Sequence, residues 1–375
     1  MKLEIERVAV ESMLIMSLVV AASASPFVGE LSLLASATGT EGQNIQLQSR
    51  YLPTFQKQGI LSEVWDYNLE LRWQLQWNSR LDMLDFSDAN TLIEPYRVAV
   101  NLQSSRSEII LGLQKINFGS AKILRPLMWF DSLNPTDPLE ITSGVTGLTA
   151  RHYFDSGWSS QLWLLIPGDP IGWEAFADQS NTLEAGGRIS LPVFRGQIGV
   201  AADYRVADGS RIDAASPDIA ELKLGVDGFW DAGIGLWLES AYTNQQQASA
   251  TLMEQLMTTV GADYTFWVGN GIFLTLENLN INTWNSPLST DQNMNLSSLL
   301  VSYSPTMFDQ LSCMVFMNWQ SETPLFYLSW GQTYDALRWT VGGFWTDVQS
   351  GAGNAAALNT DISGTGIQVI VAYNH

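Results

Sequence analysis

Charged residues are scarce in this sequence, at 15% of 375 residues, while hydrophobic residues make up 46%. Soluble domains usually carry about 25% charged residues. Long hydrophobic runs are also missing, because no stretch after residue 40 contains the roughly 18 consecutive apolar residues that a membrane-spanning helix needs. The apolar residues must therefore fill a very large core or alternate with polar residues along strands.

Cysteine and histidine are almost absent. The single Cys313 cannot form an internal disulfide, and His152 and His375 do not have the spacing of a zinc site. No G-x-S-x-G nucleophile elbow occurs, and a Ser–His pair through His152 would still need an acid or amide beside it. The sequence therefore predicts a protein that uses no metal or cofactor and is not an enzyme.

Positive charge is in short supply, with 18 Lys and Arg against 38 Asp and Glu and a formal net charge of −20. Nucleic acid is excluded as a partner, because its phosphates require a basic surface. An acidic surface of this kind keeps loops soluble and favours cations near a pore mouth.

The first 24 residues have the features of a secretory signal peptide. Met13 to Ala22 forms an apolar stretch of suitable length, and Ala22-Ser23-Ala24 fits the small-x-small cleavage rule. The alternative is a buried apolar helix of a cytoplasmic protein. We expect a signal peptide at 1–24, an N-terminal extension at 25–43 and a barrel at 44–375, located in the outer membrane.

Alternation of apolar and polar residues is the strongest pattern in the chain. From Tyr67 to Asn78 every second residue is apolar, and the residues between are Asn, Glu, Arg or Gln. Side chains of a strand point to opposite faces with period two. The same rhythm recurs in segments 96–103, 183–191, 194–205, 222–227, 256–266, 311–319, 337–346 and 367–373.

Two features distinguish these strands from a soluble sheet with one wet face, which would also alternate. The apolar rows often begin or end in Tyr, Trp or Phe, as aromatic girdles require, and the polar rows contain charges of both signs in mid-strand. The prediction is an all-β protein, a single transmembrane antiparallel β-barrel of about 16 strands, with 14 to 18 possible because bacterial barrels use even numbers.

The segment 113–147 breaks this rhythm. Pro126, Pro135 and Pro138 forbid a continuous interior strand, and N-P and D-P pairs form turns. A long stretch without strands is usually functional. The apolar residues of this segment must also be buried away from water. We expect residues 116–143 to fold inward as a constriction or plug; the alternative is an outer lid packed on itself.

The same segment carries a family resemblance, in the stretches GLQKINFGSA, LRPLMWFD and NPTDPL between Gly112 and Gly147. It resembles uncharacterised outer-membrane barrels of the Bacteroidetes type and is more distantly similar to alginate-export-like porins, which also carry an N-P-x-D turn. The resemblance implies an outer-membrane channel. The chain departs from the usual aromatic C-terminus, since Asn374 and His375 follow Tyr373.

The strand phase predicts many charged residues in the lumen. The expected basic residues are Arg72, Arg97, Arg151, Arg188, Arg195, Arg205, Lys223 and Arg338, and the expected acidic ones are Glu70, Glu184, Asp203, Glu221, Asp227, Glu239, Asp263 and Glu277. Rings of charge select ions by sign; the alternative is a filled lumen in which these groups pair. Tyr153, Trp163 and Trp237 are expected in the girdles rather than inside.

The predicted function is a porin-like channel for passive or weakly selective diffusion of small polar solutes, narrowed by the 116–143 segment. The expected constriction and path residues are Arg125, Asp131, Asn134, Asp137, Arg151, Arg72, Arg97 and Arg188. The alternatives are a barrel enzyme acting on lipid and a non-conducting structural or adhesin barrel. Expected partners are outer-membrane lipid, the barrel-assembly machinery and small polar solutes, and a homotrimer would add two further copies of the chain.

Overall fold

The computed structural model describes residues 28–39, 44–82, 85–132, 134, 136–137, 139, 141–211, 218–247, 250–284, 292–347 and 364–375. The predicted signal peptide at 1–24 lies outside these residues. Among the described residues, no helix has the length and apolar character needed to cross a membrane.

The described chain forms 18 β-strands. Their bounds are β1 Val28–Thr38, β2 Asn44–Ile60, β3 Asp66–Asp82, β4 Asp85–Gln103, β5 Ser107–Gln114, β6 Val145–Tyr153, β7 Ser159–Leu165, β8 Glu184–Val193, β9 Gly196–Asp208, β10 Asp218–Asp231, β11 Gly235–Gln247, β12 Ala250–Phe266, β13 Ile272–Trp284, β14 Gln292–Tyr303, β15 Asp309–Asn318, β16 Thr323–Tyr334, β17 Leu337–Thr346 and β18 Thr365–Asn374.

The strands close into one barrel. Each pairs antiparallel with its neighbours in the chain, and β1 pairs with both β2 and β18, for example through Leu33 and Val371. Closure satisfies the backbone hydrogen bonds that lipid cannot satisfy. The all-β barrel is confirmed with 18 strands, an even number at the upper limit of the predicted range. Because β1 lies within 25–43, the described barrel begins at Val28 rather than at residue 44.

The predicted alternation sorts side chains between lipid and lumen. In β9, Val200 and Tyr204 are exposed on the outer surface, while Asp203 and Arg205, which have the opposite phase, are buried inside. The same phase appears in β3, where Trp73 is exposed and Gln74 is buried. The barrel thus has an apolar outer belt and a lumen lined largely by polar side chains.

The two ends of the barrel differ. The end that carries both the first residue of β1 and the last of β18 has short turns, such as 104–106, 194–195 and 335–336, and we name it the turn end. The opposite end, the loop end, carries the long connections 115–144 and 166–183. Arg195, expected in the lumen, instead lies exposed in a tight turn with a φ of 51°.

The apolar core of the molecule lies inside the barrel. Residues of the connection 115–144, which we name the inserted segment, pack with inward side chains of the wall into one cluster. On the side of β13 to β17 the wall contributes Leu279, Ile281, Leu296, Met314, Phe316, Leu325, Tyr327 and Phe344. Burying each large apolar side chain contributes about 1.5–3 kcal/mol, so the segment is a packed part of the fold.

Candidate functional site

Two wall carboxylates anchor the inserted segment by accepting hydrogen bonds from its backbone. Glu277 on β13 accepts from the backbone N–H of Lys122 at 2.7 Å, Ile123 at 3.0 Å and Leu124 at 2.6 Å. It also accepts from the Trp237 indole at 2.9 Å. A buried carboxylate is tolerated where several donors satisfy it, and such charge-assisted bonds are among the strong ones.

Glu239 on β11, two strands from Glu277, also accepts backbone hydrogen bonds from the inserted segment. Its carboxylate accepts from the backbone N–H of Ser120 and Ala121, both at 2.8 Å, and of Leu127 at 2.7 Å. The chain passes very close here, because a Cβ on Gly119 would lie 2.3 Å from a Glu239 oxygen, and Gly119 has a φ of +108°. Glycine is the residue that permits both the approach and this backbone conformation.

An aromatic cluster covers the other side of the segment. The ring of Phe118 stacks on Trp163 at 5.7 Å between centroids and meets Trp129 edge-on at 5.5 Å. Trp163 also donates its indole N–H to Asp203 at 2.8 Å. Trp163 and Trp237 therefore point inward and are buried, and their expected place in the girdles was wrong. Tyr153 is exposed but has the strand phase of Arg151, which donates to its hydroxyl, so it too lies on the lumen face of β6.

A second connection, 166–183, also enters the lumen, and we name it the second inserted loop. Its Trp173 donates to the Arg125 carbonyl at 2.8 Å, which joins the two insertions. Its Glu174 forms ion pairs with Lys223 and with Arg205. Sequence reasoning missed this loop, although the turn-forming run Pro167-Gly168-Asp169-Pro170 marks it.

The cluster around Glu174 contains more acid than base. Lys223 and Arg205 face five carboxylates within 4 Å, namely Glu174, Asp178, Glu184, Asp203 and Glu221. Burial raises the pKa of the Glu174 carboxyl above its ordinary value, and the charges of Lys223 and Arg205 oppose that shift. Two cations cannot compensate five buried anions, so we expect the cluster to keep at least one proton.

Four of the eight predicted path residues belong to the packed scaffold. Arg125 pairs with Asp131 at 3.1 Å, and the two side chains are 6% and 1% exposed. Asn134 accepts from the Thr136 backbone N–H at 2.9 Å, and Asp137 accepts from that of Leu139 at 2.9 Å, so each closes a local turn. These contacts fix the inserted segment in one conformation.

Arg188 is also held in the packed part of the lumen, by an ion pair with Asp227. Its guanidinium donates to both oxygens of Asp227, at 2.7 and 3.1 Å, and lies over the Phe118 ring at 5.3 Å. Such a bidentate pair is strong and geometrically fixed. Arg188 therefore supports the aromatic cluster.

Arg72 and Arg151 are more open. Arg72 lies 3.8 Å from Glu70 and Arg151 lies 3.8 Å from Glu108, and both guanidinium side chains are 34% exposed. We name these four residues the turn-end charge pairs. Their carboxylate partners are 30% and 24% exposed, so this part of the lumen wall, on β3, β5 and β6, is wet.

Arg97 lies at the level of Arg72 and contacts the inserted segment. It is adjacent to Arg72 in the β3–β4 register, and it donates to the Thr142 carbonyl at 3.0 Å and to the Ser143 carbonyl at 3.2 Å. Those two carbonyls belong to the end of the inserted segment. Arg97 therefore closes the gap between that segment and the β4 wall.

A cavity of about 460 Å³ lies on the loop-end side of Arg97. It is bounded by β3 and β4, the inserted segment and the second inserted loop, and its lining includes Gln74, Glu94, Tyr96, Arg97, Trp129, Ser132, Asp169 and Glu174. A smaller cavity of about 30 Å³ lies beyond Trp129 and Glu174, which line both. The larger one has the size and polar lining of a small-molecule site.

Among the described residues, Ser107 and His152 form a Ser–His contact, and it lies on the outer surface. Ser107 Oγ is 2.8 Å from His152 Nδ1, on paired strands at the turn end. The His152 ring also meets Phe154 edge-on at 4.5 Å. In the described part of the chain no group of three or more His, Cys, Asp or Glu residues could bind a metal ion.

These features define a class of protein. A closed antiparallel barrel with an apolar outer belt, aromatic residues near its rims and a polar lumen is the architecture of bacterial outer-membrane proteins. The chain is an outer-membrane β-barrel with two connections folded into its lumen.

Solved structures share this fold at low identity. OccK7 (OpdD) of Pseudomonas aeruginosa matches with a TM-score of 0.55 and 11% identity, covering 93% of this chain and 98% of that chain. The outer membrane protein opdK of the same organism has a TM-score of 0.55 and 9% identity, with 93% and 98% coverage.

A third similar structure is Wzi of Escherichia coli, an outer membrane protein involved in group 1 capsule assembly and described as a carbohydrate-binding β-barrel. Its TM-score is 0.55 at 11% identity, covering 92% of this chain and 83% of that chain. No protein-family model matches the sequence, and no curated protein does. The likeness supports the fold, and the narrower resemblance to Bacteroidetes-type and alginate-export-like barrels remains a prediction.

Proposed function

We propose that the protein is a porin-like channel through which small polar solutes diffuse along one side of the lumen. The observation that carries this proposal is the uneven filling of the barrel. The lumen is packed on the side of β11 to β17, whereas the cavity and the partly exposed turn-end charge pairs lie on the side of β3 to β6. Short turns face the periplasm in bacterial barrels, so the cavity opens toward the cell exterior.

The narrow point in this proposal is Arg97 with Thr142 and Ser143. These residues separate the cavity from the turn-end charge pairs, and the inserted segment forms one wall of the passage. Of the predicted path residues, Arg97, Arg72 and Arg151 line the route. Arg125, Asp131, Asn134, Asp137 and Arg188 act indirectly, because their contacts fix the segment that narrows it.

Weak selectivity follows from the charges along the route. The turn-end charge pairs place one acid beside each base, and the cavity wall adds Glu94, Asp169 and Arg97. Opposite charges across a water-filled passage orient dipolar solutes without strongly excluding either ion sign. The expected solutes are small, polar and close to neutral.

Covalent block of the cavity tests the route. In a Cys313→Ser background, Ser132→Cys places a thiol in the cavity wall, while Leu224→Cys places one on the outer surface of β10. A bulky cationic methanethiosulfonate reagent should reduce single-channel conductance of the Ser132→Cys protein and leave the Leu224→Cys control unchanged. Equal responses would contradict this route, and a protein that never conducts would be a structural or adhesin barrel.

A lipid hydrolase is the second candidate, favoured only by the Ser107–His152 contact on the lipid-facing surface. Catalysis would need an acid or amide to orient the ring, and the contacts found for His152 are Ser107 and Phe154. Ser107→Ala should leave any phospholipid hydrolysis by the purified protein unchanged. Loss of a measurable hydrolysis rate in that variant would favour the enzyme. The homotrimer and the contact with the assembly machinery remain predictions.

A further inference from the structure

The apolar outer belt is interrupted on β13 and β14. Glu277 and Leu296 point inward, where Glu277 binds the inserted segment and Leu296 joins the apolar core. Because faces alternate, Asn278 and Ser297 point outward. Near the turn end the outward residues of these strands are apolar; toward the loop end they are Asn278, Asn280, Asn282, Asn293, Asn295 and Ser297, which we name the amide patch.

The members of the amide patch bind one another. Asn278 donates to Asn295 Oδ1 at 2.9 Å and to Ser297 Oγ at 3.0 Å, and Asn293 donates to Asn282 Oδ1 at 2.7 Å. Trp319 of the connection after β15 donates to Ser297 Oγ at 2.9 Å. An amide has two donor hydrogens and two acceptor positions, so these contacts leave further hydrogen-bonding capacity on the outer surface.

The patch lies at the depth of the membrane. Asn280 is eight residues from Ile272, where β13 begins at the turn end. A rise of about 3.3 Å per residue and a tilt of about 40° place it about 20 Å along the barrel axis, within an apolar band about 25 Å tall. On β10 and β16 the outward residues stay apolar at similar depth, including Leu222 and Leu224 of β10 and Phe326 and Leu328 of β16. On β11 and β12 outward Ser240 and Thr258 bond each other at 2.9 Å.

Hydrocarbon is a poor environment for this surface, because polar groups without partners cost several kcal/mol each in lipid. Phosphate-bearing lipid headgroups are recognised by Lys and Arg, and the chain has no Lys or Arg between Lys223 and Arg338. A protein surface that offers uncharged donors and acceptors therefore fits the patch better than the hydrocarbon chains or the phosphate-bearing headgroups of the lipid.

We propose that the amide patch is the contact surface for a second copy of this chain in the membrane. Asn and Ser each donate and accept, so the patch is complementary to itself, which a symmetric interface between identical subunits requires. The absence of a charge on the patch removes repulsion between two copies that each carry a net charge of −20. This inference is independent of conduction through the lumen.

Disulfide cross-linking tests the interface. In a Cys313→Ser background, Asn280→Cys and Asn295→Cys place thiols in the patch. Ile367→Cys is the matched control, because it is outward on β18 and seven residues from Asn374, at similar depth. Mild oxidation of native outer membranes should give covalent dimers of the two patch variants and at least tenfold less from the control.

A second measurement separates loss of assembly from loss of folding. The purified wild type should be oligomeric by light scattering in detergent, and the Asn278→Leu, Asn280→Leu, Asn295→Leu variant should be a monomer that retains the gel mobility of a folded barrel. A monomeric wild type, equal cross-linking at residue 367, or cross-links from the patch only to a different protein would overturn the proposal.

Discussion

At the residue scale, a few side chains determine how the lumen is filled. Phe118 joins Trp129, Phe130 and Trp163 in one aromatic cluster, and the Arg188 guanidinium covers its ring. Aromatic pairs contribute about 0.5–1.5 kcal/mol beyond the area they bury. The inserted segment therefore depends on specific ring contacts as well as on general apolar burial.

Phe118→Ala should destabilise the folded barrel by about 3–5 kcal/mol, the usual cost of removing a buried aromatic ring. Phe194→Ala is the control, because Phe194 is exposed in the turn between β8 and β9. The loss of folded mobility on heating, followed by gel electrophoresis, measures the effect. Equal midpoints for both variants would show that the aromatic cluster contributes little.

The raised pKa of Glu174 predicts that the stability of the docked second inserted loop depends on pH. Burial raises the Glu174 carboxyl pKa in the folded state, so the folded protein binds this proton more tightly than the unfolded chain does. The docked loop is then most stable below the ordinary pKa of 4.5 and loses stability as the pH rises through the raised pKa. Hydrogen exchange in 166–183, corrected for intrinsic rates, should quicken over that rise.

The control for this pH effect is Glu174→Gln, which removes the titrating group and retains a side chain of the same size. Its loop should exchange with little dependence on pH beyond the intrinsic chemistry. An unchanged pH profile in the variant would assign the effect to another carboxyl of the cluster and contradict the role of Glu174.

At the scale of elements, the inserted segment is attached to the wall by carboxylates on strands that are distant in sequence. Glu239 and Glu277 each accept three of its backbone N–H groups. Hydrogen bonds to charged groups contribute about 1.5–3 kcal/mol each, so this pair of residues decides whether the segment stays in place.

The double substitution Glu239→Gln, Glu277→Gln should loosen the segment, because each amide offers one oxygen and brings an NH₂ group against N–H donors. Trypsin should then cleave at Lys115 or Lys122 in the folded barrel at least tenfold faster than in the wild type. Glu254→Gln is the control, since Glu254 binds Tyr242 and Asn244 away from the segment. Unchanged cleavage in the double variant would refute this attachment.

Strands with one polar face could be predicted from the sequence, and strands with two apolar faces could not. The alternation in β3 and β9 correctly separates Trp73 from Gln74 and Val200 from Asp203. In β15, Met314 and Phe316 point inward while their neighbours face lipid, because the inward pair contacts the apolar core rather than water. Whether an apolar face of this kind points inward depends on the apolar residues that the inserted segment places in the lumen, and the strand's own sequence does not contain that information.

The site could be predicted only in part for the same reason. Three prolines and an apolar run correctly indicate that the described part of 116–143 contains no strand, but the partner of each charge depends on contacts across the barrel. Arg125 and Arg97 are equally basic in the sequence, yet Arg125 pairs with Asp131 in the packed interior and Arg97 lines the cavity. The second inserted loop binds through Glu174, whose cations lie on β9 and β10.

At the scale of the whole molecule, the barrel is divided lengthwise. The packed side carries the inserted segment on its carboxylates and apolar wall, and the other side carries the cavity and, across Arg97, the turn-end charge pairs. The outer surface is divided too, since the amide patch lies on the packed side. A contact between copies at that patch would leave the proposed route unobstructed.

Single-channel recording in planar bilayers tests the central claim most directly, comparing the wild type with a variant in which a short Gly-Ser linker replaces residues 116–143. The wild type should conduct in small, uniform steps, because the proposed passage beside Arg97 is narrow. The deletion variant should conduct in steps several-fold larger, because the packed side of the lumen becomes water-filled. A wild type that never conducts, or a folded deletion variant with unchanged steps, would contradict the account.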